Sequence, residues 1–205
     1  LPRFNPLLLG LFVALGFVVA QAPAVTLLDD TWADASRDEQ NLPTESQWFS
    51  SGGSANLTNL AAGSMTLIPD PTGSRSAITY FATNALPVNL ADGETLKVTL
   101  EFSVSGVTTN TAQSMRFALV DYSAGTRVDA DDGSSGLNGA NVTGYGFFTH
   151  VSSPSQRETL DIKERTGISS SDLIGSSGDW AITLGEGFDN TVGFDGIQNG
   201  ITYTT

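Results

Sequence analysis

Carboxylates are the side chains in this sequence whose type and spacing come nearest to chemistry. Cleavage of a glycosidic bond by the retaining route needs two of them about 5 Å apart, one as nucleophile and one as acid/base. Asp161 and Glu164, in the stretch Thr159-Leu160-Asp161-Ile162-Lys163-Glu164, are the candidate pair. Lys163 stands against them, because it would neutralise a neighbouring acid rather than leave it poised to protonate a leaving group. Glu158 is out of phase with Asp161 and points to the other face of a strand. The competing reading is a plain strand with Leu160 and Ile162 inward and the charges in water.

A second cluster, Asp129-Ala130-Asp131-Asp132-Gly133, is the candidate cation loop. Calcium takes six to eight oxygen ligands. Asp129, Asp131 and Asp132 around a turn that glycine permits could supply several, with Asp121 at the end of the preceding strand. The spacing is not that of an EF-hand, since a third alternating ligand and the terminal Glu are missing. A solvated turn is the plainer account of such a loop in an acidic chain. The third group is aromatic: Trp32, Trp48 and Trp180, with Tyr80 and Tyr145. An exposed ring of this kind stacks on the C–H face of a sugar, whereas a buried one contributes packing area. Trp180, beside the turn Gly178-Asp179, and Tyr145, between Gly144 and Gly146, are the two best placed to lie outside a core.

The remaining reactive types are few. His150, the one histidine, ends an apolar strand, and with no Gly-x-Ser-x-Gly elbow in the chain it reads as structural. Arg116, Arg127 and Arg165 lie on or next to strands and are expected to pair with acids such as Asp121, Asp161 or Glu164. The absence of cysteine excludes disulfides, thiolate metal sites and a Cys nucleophile. Phosphate loops, dinucleotide fingerprints and zinc signatures are missing as well. A net charge of −13 argues against nucleic acid as partner, and against an anionic membrane surface.

The elements that must position these residues are strands. With 205 residues, 40% of them hydrophobic, the chain can build one core but hardly two. Its clearest segment is residues 95–105, where Leu96, Val98, Leu100, Phe102 and Val104 alternate with polar residues, one face in a core and one in water. Residues 115–122 are apolar on both faces, which predicts a central strand covered on each side. Further strands are expected at 64–68, 76–82, 144–151, 159–165 and 181–184, with weaker ones at 25–28 and 47–50. Residues 41–59 lack pattern and read as a long wrapping loop. Gly-, Asp- and Pro-rich turns separate the segments. The fold expected is all-β, a single antiparallel β-sandwich of jelly-roll or concanavalin-like type over residues 25–205.

The two ends carry their own signals. Arg3, the apolar run 7–20 and Ala22-Pro23-Ala24 follow the order of a signal peptide, with residues 1–24 removed and Val25 as the mature start. Fourteen residues make about 21 Å of helix, too short for a membrane core of about 30 Å. Asn199-Gly200 followed by Ile201-Thr202-Tyr203-Thr204-Thr205 reads as a turn and the beginning of a last strand, so the sandwich is expected to be incomplete at this end.

The order of motifs resembles secreted bacterial β-sandwich proteins with concanavalin-like or laminin-G-like folds, many of which end in a PEP-CTERM-type sorting tail. The residues that carry the likeness are Gln40-Asn41-Leu42-Pro43 leading to Trp48-Phe49, then 77–81, the long strand from Leu96, Met115-Arg116-Phe117-Ala118-Leu119, Gly125-Thr126-Arg127, Gly144-Tyr145 and Glu164-Arg165-Thr166-Gly167. The tail itself is absent from this sequence. In the laminarinase-like enzymes of this fold the carboxylates stand as Glu-x-Asp-x-Glu or Glu-x-Asp-x-x-Glu, and here Thr159 occupies the nucleophile position. The resemblance therefore implies a non-catalytic, exported or cell-envelope module that binds extracellular polysaccharide or serves in the matrix. A glycan-active enzyme using Asp161 and Glu164 is the second reading, and a purely structural surface protein the third. Bound calcium is the one cofactor the sequence suggests.

Overall fold

The computed structural model describes residues 24–52, 57–69, 74–83, 85–107, 114–132, 137–150, 161–166, 172–175, 177–184, 197 and 199–204. The apolar run ahead of Ala24 lies outside the described residues, as do Glu158, Thr159 and Leu160. In chain order the strands are β1 (Trp48–Ser50), β2 (Leu57–Ala61), β3 (Ser64–Leu67), β4 (Ala77–Thr79), β5 (Glu101–Ser103), β6 (Ser114–Asp121), β7 (Thr143–His150), β8 (Asp161–Arg165), β9 (Trp180–Leu184) and β10 (Thr202–Thr204). Every ladder among the described strands is antiparallel. The only helical turn among the described residues is a 3-10 turn at Ser177–Asp179. The fold is all-β, with packed β layers as a sandwich requires, and no described helix is long and apolar enough to cross a membrane.

Strands β6-β7-β8-β9 form a four-stranded sheet in sequence order, and the other described strands form three two-stranded ribbons, β1-β4, β2-β3 and β5-β10. The β2-β3 hairpin closes between Ala61 and Ser64, where Gly63 at φ 90° supplies the left-handed conformation that a two-residue turn needs. Alternation along β6 sends its even and odd residues to opposite faces of the sheet. On the even face Val120, with Tyr122 just past the strand, meets a cluster of Phe49, Ile78, Leu137, Val142 and Leu173, which brings ribbon β1-β4 over this side. On the odd face Phe117 stacks on Phe147 at 5.0 Å and meets Phe102 at 5.2 Å, with Tyr203 against Phe102 at 5.6 Å. Ribbon β5-β10 thus lies on the other side.

That double cover explains a difference from expectation. The apolar pattern of 115–122 predicts a central strand, yet β6 is the first strand in the sheet order. Two-sided apolarity reports that both faces are packed, not that both edges are paired. Residues 25–28 form no strand, and residues 57–59, the end of the stretch read as loop, belong to β2. Of the long alternating segment 95–105, only Glu101–Ser103 enters a named strand.

Strand β8 also departs from its predicted orientation. Arg165 is fully buried, and Asp161 and Lys163 share its face by alternation. The charged face therefore turns inward, onto Phe148 and Trp180. It is tolerated because the guanidinium is met by fixed acceptors: Nη1 donates to the Leu173 carbonyl at 3.1 Å, Nη2 donates to the Gly139 carbonyl at 2.8 Å, and Asp179 lies 3.4 Å from Nη1. Gly139 permits this approach, since a Cβ there would stand 2.7 Å from Nη2 and 2.6 Å from the Leu173 Cα.

Candidate functional site

The residues singled out for chemistry fall at separate places in the fold, and the register decides what each can do. Pairing β7 with β8 sets Phe148 opposite Asp161 and Tyr145 opposite Glu164, without a bulge between. Asp161 and Glu164 are three apart on a regular strand, so their side chains leave opposite faces of the sheet. This arrangement gives no pair of carboxylates across a cleft. Asp161 instead lies 3.3 Å from the Lys163 ammonium, which sits 5.1 Å from the centre of the Phe148 ring.

Glu164 and Tyr145 lie on the same face, in the row Leu119–Tyr145–Glu164–Ala181 across all four strands. The Tyr145 ring is 58% exposed, and its hydroxyl donates to Glu164 Oε1 over 3.4 Å. Its flanking glycines explain its place. Gly146 points to the core side, where a Cβ would come within 2.8 Å of the Phe117 carbonyl and 3.1 Å of the Trp180 ring. The bare backbone makes room for Trp180 below while alternation lifts Tyr145 above. Two residues along on the same face, Phe117 stacks on Phe147 and is covered by Phe102, whereas Tyr145 stands exposed.

Trp180 is the counter-case. Beside its turn it reads as the tryptophan most exposed to a ligand, but it is 4% exposed. Its ring meets Phe148 edge-on at 5.2 Å, and its Nε1 donates to the same Leu173 carbonyl that Arg165 uses, at 3.1 Å. The 3-10 turn Ser177–Asp179 lies before it, and β9 begins with its side chain on the inward face. Of the three tryptophans it is Trp32 and Trp48 that stay half-buried, with centroids 5.6 Å apart and planes at 53°. Asp30 organises them, with Oδ1 accepting from the Trp32 amide at 3.0 Å and Oδ2 from Trp48 Nε1 at 2.9 Å.

The acidic loop is put to another use. Arg37 forks onto Asp131, with Nη1 on Oδ1 at 3.0 Å and Nη2 on Oδ2 at 2.6 Å, and the Ser50 amide donates to Oδ1 at 2.9 Å. The Arg37 bond, more than the Ser50 amide, holds the Asp131 carboxyl below the usual range, and Asp131 in turn raises Arg37. The backbone of Asp132 bridges Ser51, and its amide donates to the Ser50 carbonyl at 3.0 Å. Asp121 closes a local turn on the Ser123 amide at 2.7 Å. Among the described residues the carboxylate oxygens of Asp129, Asp131 and Asp132 are not drawn together, and Asp131 serves as the anion for Arg37. The described carboxylates whose oxygens lie within 4.8 Å of one another are Asp34, Glu39 and Glu45, where the Asn41 amide donates to Glu39 at 3.2 Å and to Glu45 at 2.8 Å.

Of the three arginines expected to pair with acids, Arg165 meets Asp179, while carbonyls and rings are partners of Arg116 and Arg127. Arg116 donates to the Ile174 and Gly175 carbonyls at 2.6 and 2.8 Å, and burial lowers its pKa. Arg127 lies 3.7 Å over the Tyr80 ring and donates to the Ala82 carbonyl at 2.8 Å. Sequence reasoning passes over Arg37 and Asp30, whose partners are set by the fold. The local sequence signal for Asp30 is its position two residues ahead of Trp32, the spacing of a side chain folding onto its own backbone. No protein-family model matches this chain, and comparison with curated proteins and with solved structures returns no match.

Proposed function

We propose that this protein is an exported, non-catalytic module of the bacterial cell exterior that binds extracellular polysaccharide through the row centred on Tyr145 and Glu164. The observation that carries the reading is Tyr145 itself, a large ring 58% exposed on the strand of a packed sheet with its hydroxyl tied to a carboxylate. A sugar ring laid on Tyr145 buries its C–H face on the aromatic, while Glu164 accepts from an equatorial hydroxyl. Such a flat, fixed platform costs little ordering on binding. The net charge of −13 favours a neutral glycan over a polyuronate, because a polyanion would be repelled at long range.

The test is isothermal titration of the full chain against a panel of neutral and uronate-rich polysaccharides, with Tyr145→Ala and Glu164→Gln alongside. Tyr145→Ala is expected to weaken binding of a neutral polymer by roughly tenfold or more, on the scale of one lost stacking contact. The melting temperature should hold, because the ring is outside the core. Absence of binding to every polymer would sink this reading and favour a purely structural surface protein. Binding unchanged by Tyr145→Ala would move the site elsewhere, with the half-buried pair Trp32 and Trp48 next to be replaced.

A further inference from the structure

The segment 95–105 carries the most regular alternation in the chain, and most of it lies outside the sheets. Strand β5 (Glu101–Ser103) ladders with β10, but residues 95–99 join no described strand. They are nevertheless patterned as a strand. Leu96 is partly covered, Val98 is 56% exposed, and Thr95, Lys97 and Thr99 are exposed on the alternate side. The preceding stretch adds Leu86 at 76% and Leu90 at 52% exposure. A segment of this kind, alternating in sequence and with residues 95–99 joined to no described strand, is a template for another strand.

We propose that residues 95–103 pair antiparallel with the same residues of a second copy, about a two-fold axis at Thr99. Charge selects the register. An axis at Lys97 would set Lys97 against its own copy, and like charges directly opposed are destabilising. An axis at Val98 would set Lys97 opposite Thr99 and Glu101 opposite Thr95, leaving both charges without a counterpart. An axis at Thr99 sets Lys97 of each copy opposite Glu101 of the other, twice over by symmetry. The same register places Val98 opposite Leu100 and Leu96 opposite Phe102, all on the side that Phe102 already turns to Phe117. Lys97 and Glu101 are both exposed. Lys97 is one of only two lysines in a chain of net charge −13, so opposite charge at this spot is not a matter of abundance.

The experiment is sedimentation equilibrium on the full chain across a concentration series, with Lys97→Glu, Glu101→Lys, their equimolar mixture, and the double variant. The wild type is expected to show a monomer–dimer equilibrium. Each single reversal alone should weaken the dimer by roughly tenfold, since two attractive pairs become two repulsive ones. Mixing the two single variants, or combining both changes in one chain, should restore it. Hydrogen exchange supplies a readout without substitution, because amides of residues 95–99 should gain protection as concentration rises. A monomer at every concentration would overturn the proposal. So would a dimer insensitive to the single reversals, or one that mixing fails to restore.

Discussion

At the scale of single residues, the clasp between Arg37 and Asp131 ties the N-terminal segment to a loop far along the chain. Its side chains are 14% and 18% exposed, so it is screened less than a surface pair. Asp131→Asn is expected to cost about 2 kcal/mol, the scale of a charge-assisted hydrogen bond lost from a partly buried site. The pH dependence follows from the direction of its shift. The folded Asp131 pKa is lowered by Arg37. The clasp therefore stabilises fully above the unfolded value of about 3.9, and its contribution is lost as pH falls through the folded value. Melting curves of wild type and Asp131→Asn should lie apart at neutral pH and converge in acid.

Arg165 sets the second residue-scale prediction. Arg165→Met removes the donor from the Leu173 and Gly139 carbonyls and the cation beside Asp179. A loss of about 3–5 kcal/mol is expected, because an uncompensated buried carboxylate is left behind. Gly139→Ala should cost about 1–3 kcal/mol through the clash with Leu173 and the guanidinium, both measured by denaturant unfolding.

At the scale of elements, ribbon β5-β10 lies on the sheet through an aromatic contact in which Phe102 reaches Phe117 on one side and Tyr203 on the other. Phe102→Ala is expected to cost about 2 kcal/mol, somewhat less than full burial of a phenylalanine, since the ring is only partly covered. The loss should be local. Hydrogen exchange would show faster opening of Thr202–Thr204, with β7 and β8 keeping their protection. Uniform acceleration across the sheet would show instead that the ribbon is part of the central cooperative unit.

At the scale of the whole molecule, the four-stranded sheet separates two environments. One face holds Arg165, Phe148 and Trp180 under the β1-β4 side. The other is covered at Phe117 by Phe102 and opens at Tyr145. Sugar binding at Tyr145 and self-pairing along residues 95–103 rest on different residues, so each stands or falls by its own measurement. Tyr145→Ala should leave the oligomeric state unchanged, and Lys97→Glu should leave the polysaccharide affinity of each subunit unchanged.

Much of the β character was legible from local pattern. Turns rich in Gly, Asp and Pro between short apolar runs identify an all-β chain, and β6, β7, β8 and β9 lie where period-two or doubly apolar runs place them. That Tyr145 parts from its two flanking glycines is legible for the same local reason: a period of two sends neighbours to opposite faces. Other features were decided only by tertiary structure. Trp180 and Arg165 are buried because the Leu173 carbonyl comes from another segment to receive both. Asp131 is the ion-pair partner of Arg37 because the fold brings that side chain to it across 94 positions of sequence. Alternation states which residues share a face, but not which face is covered. What lies on each face comes from distant chain, and that alone separates an exposed ring such as Tyr145 from a core ring such as Trp180.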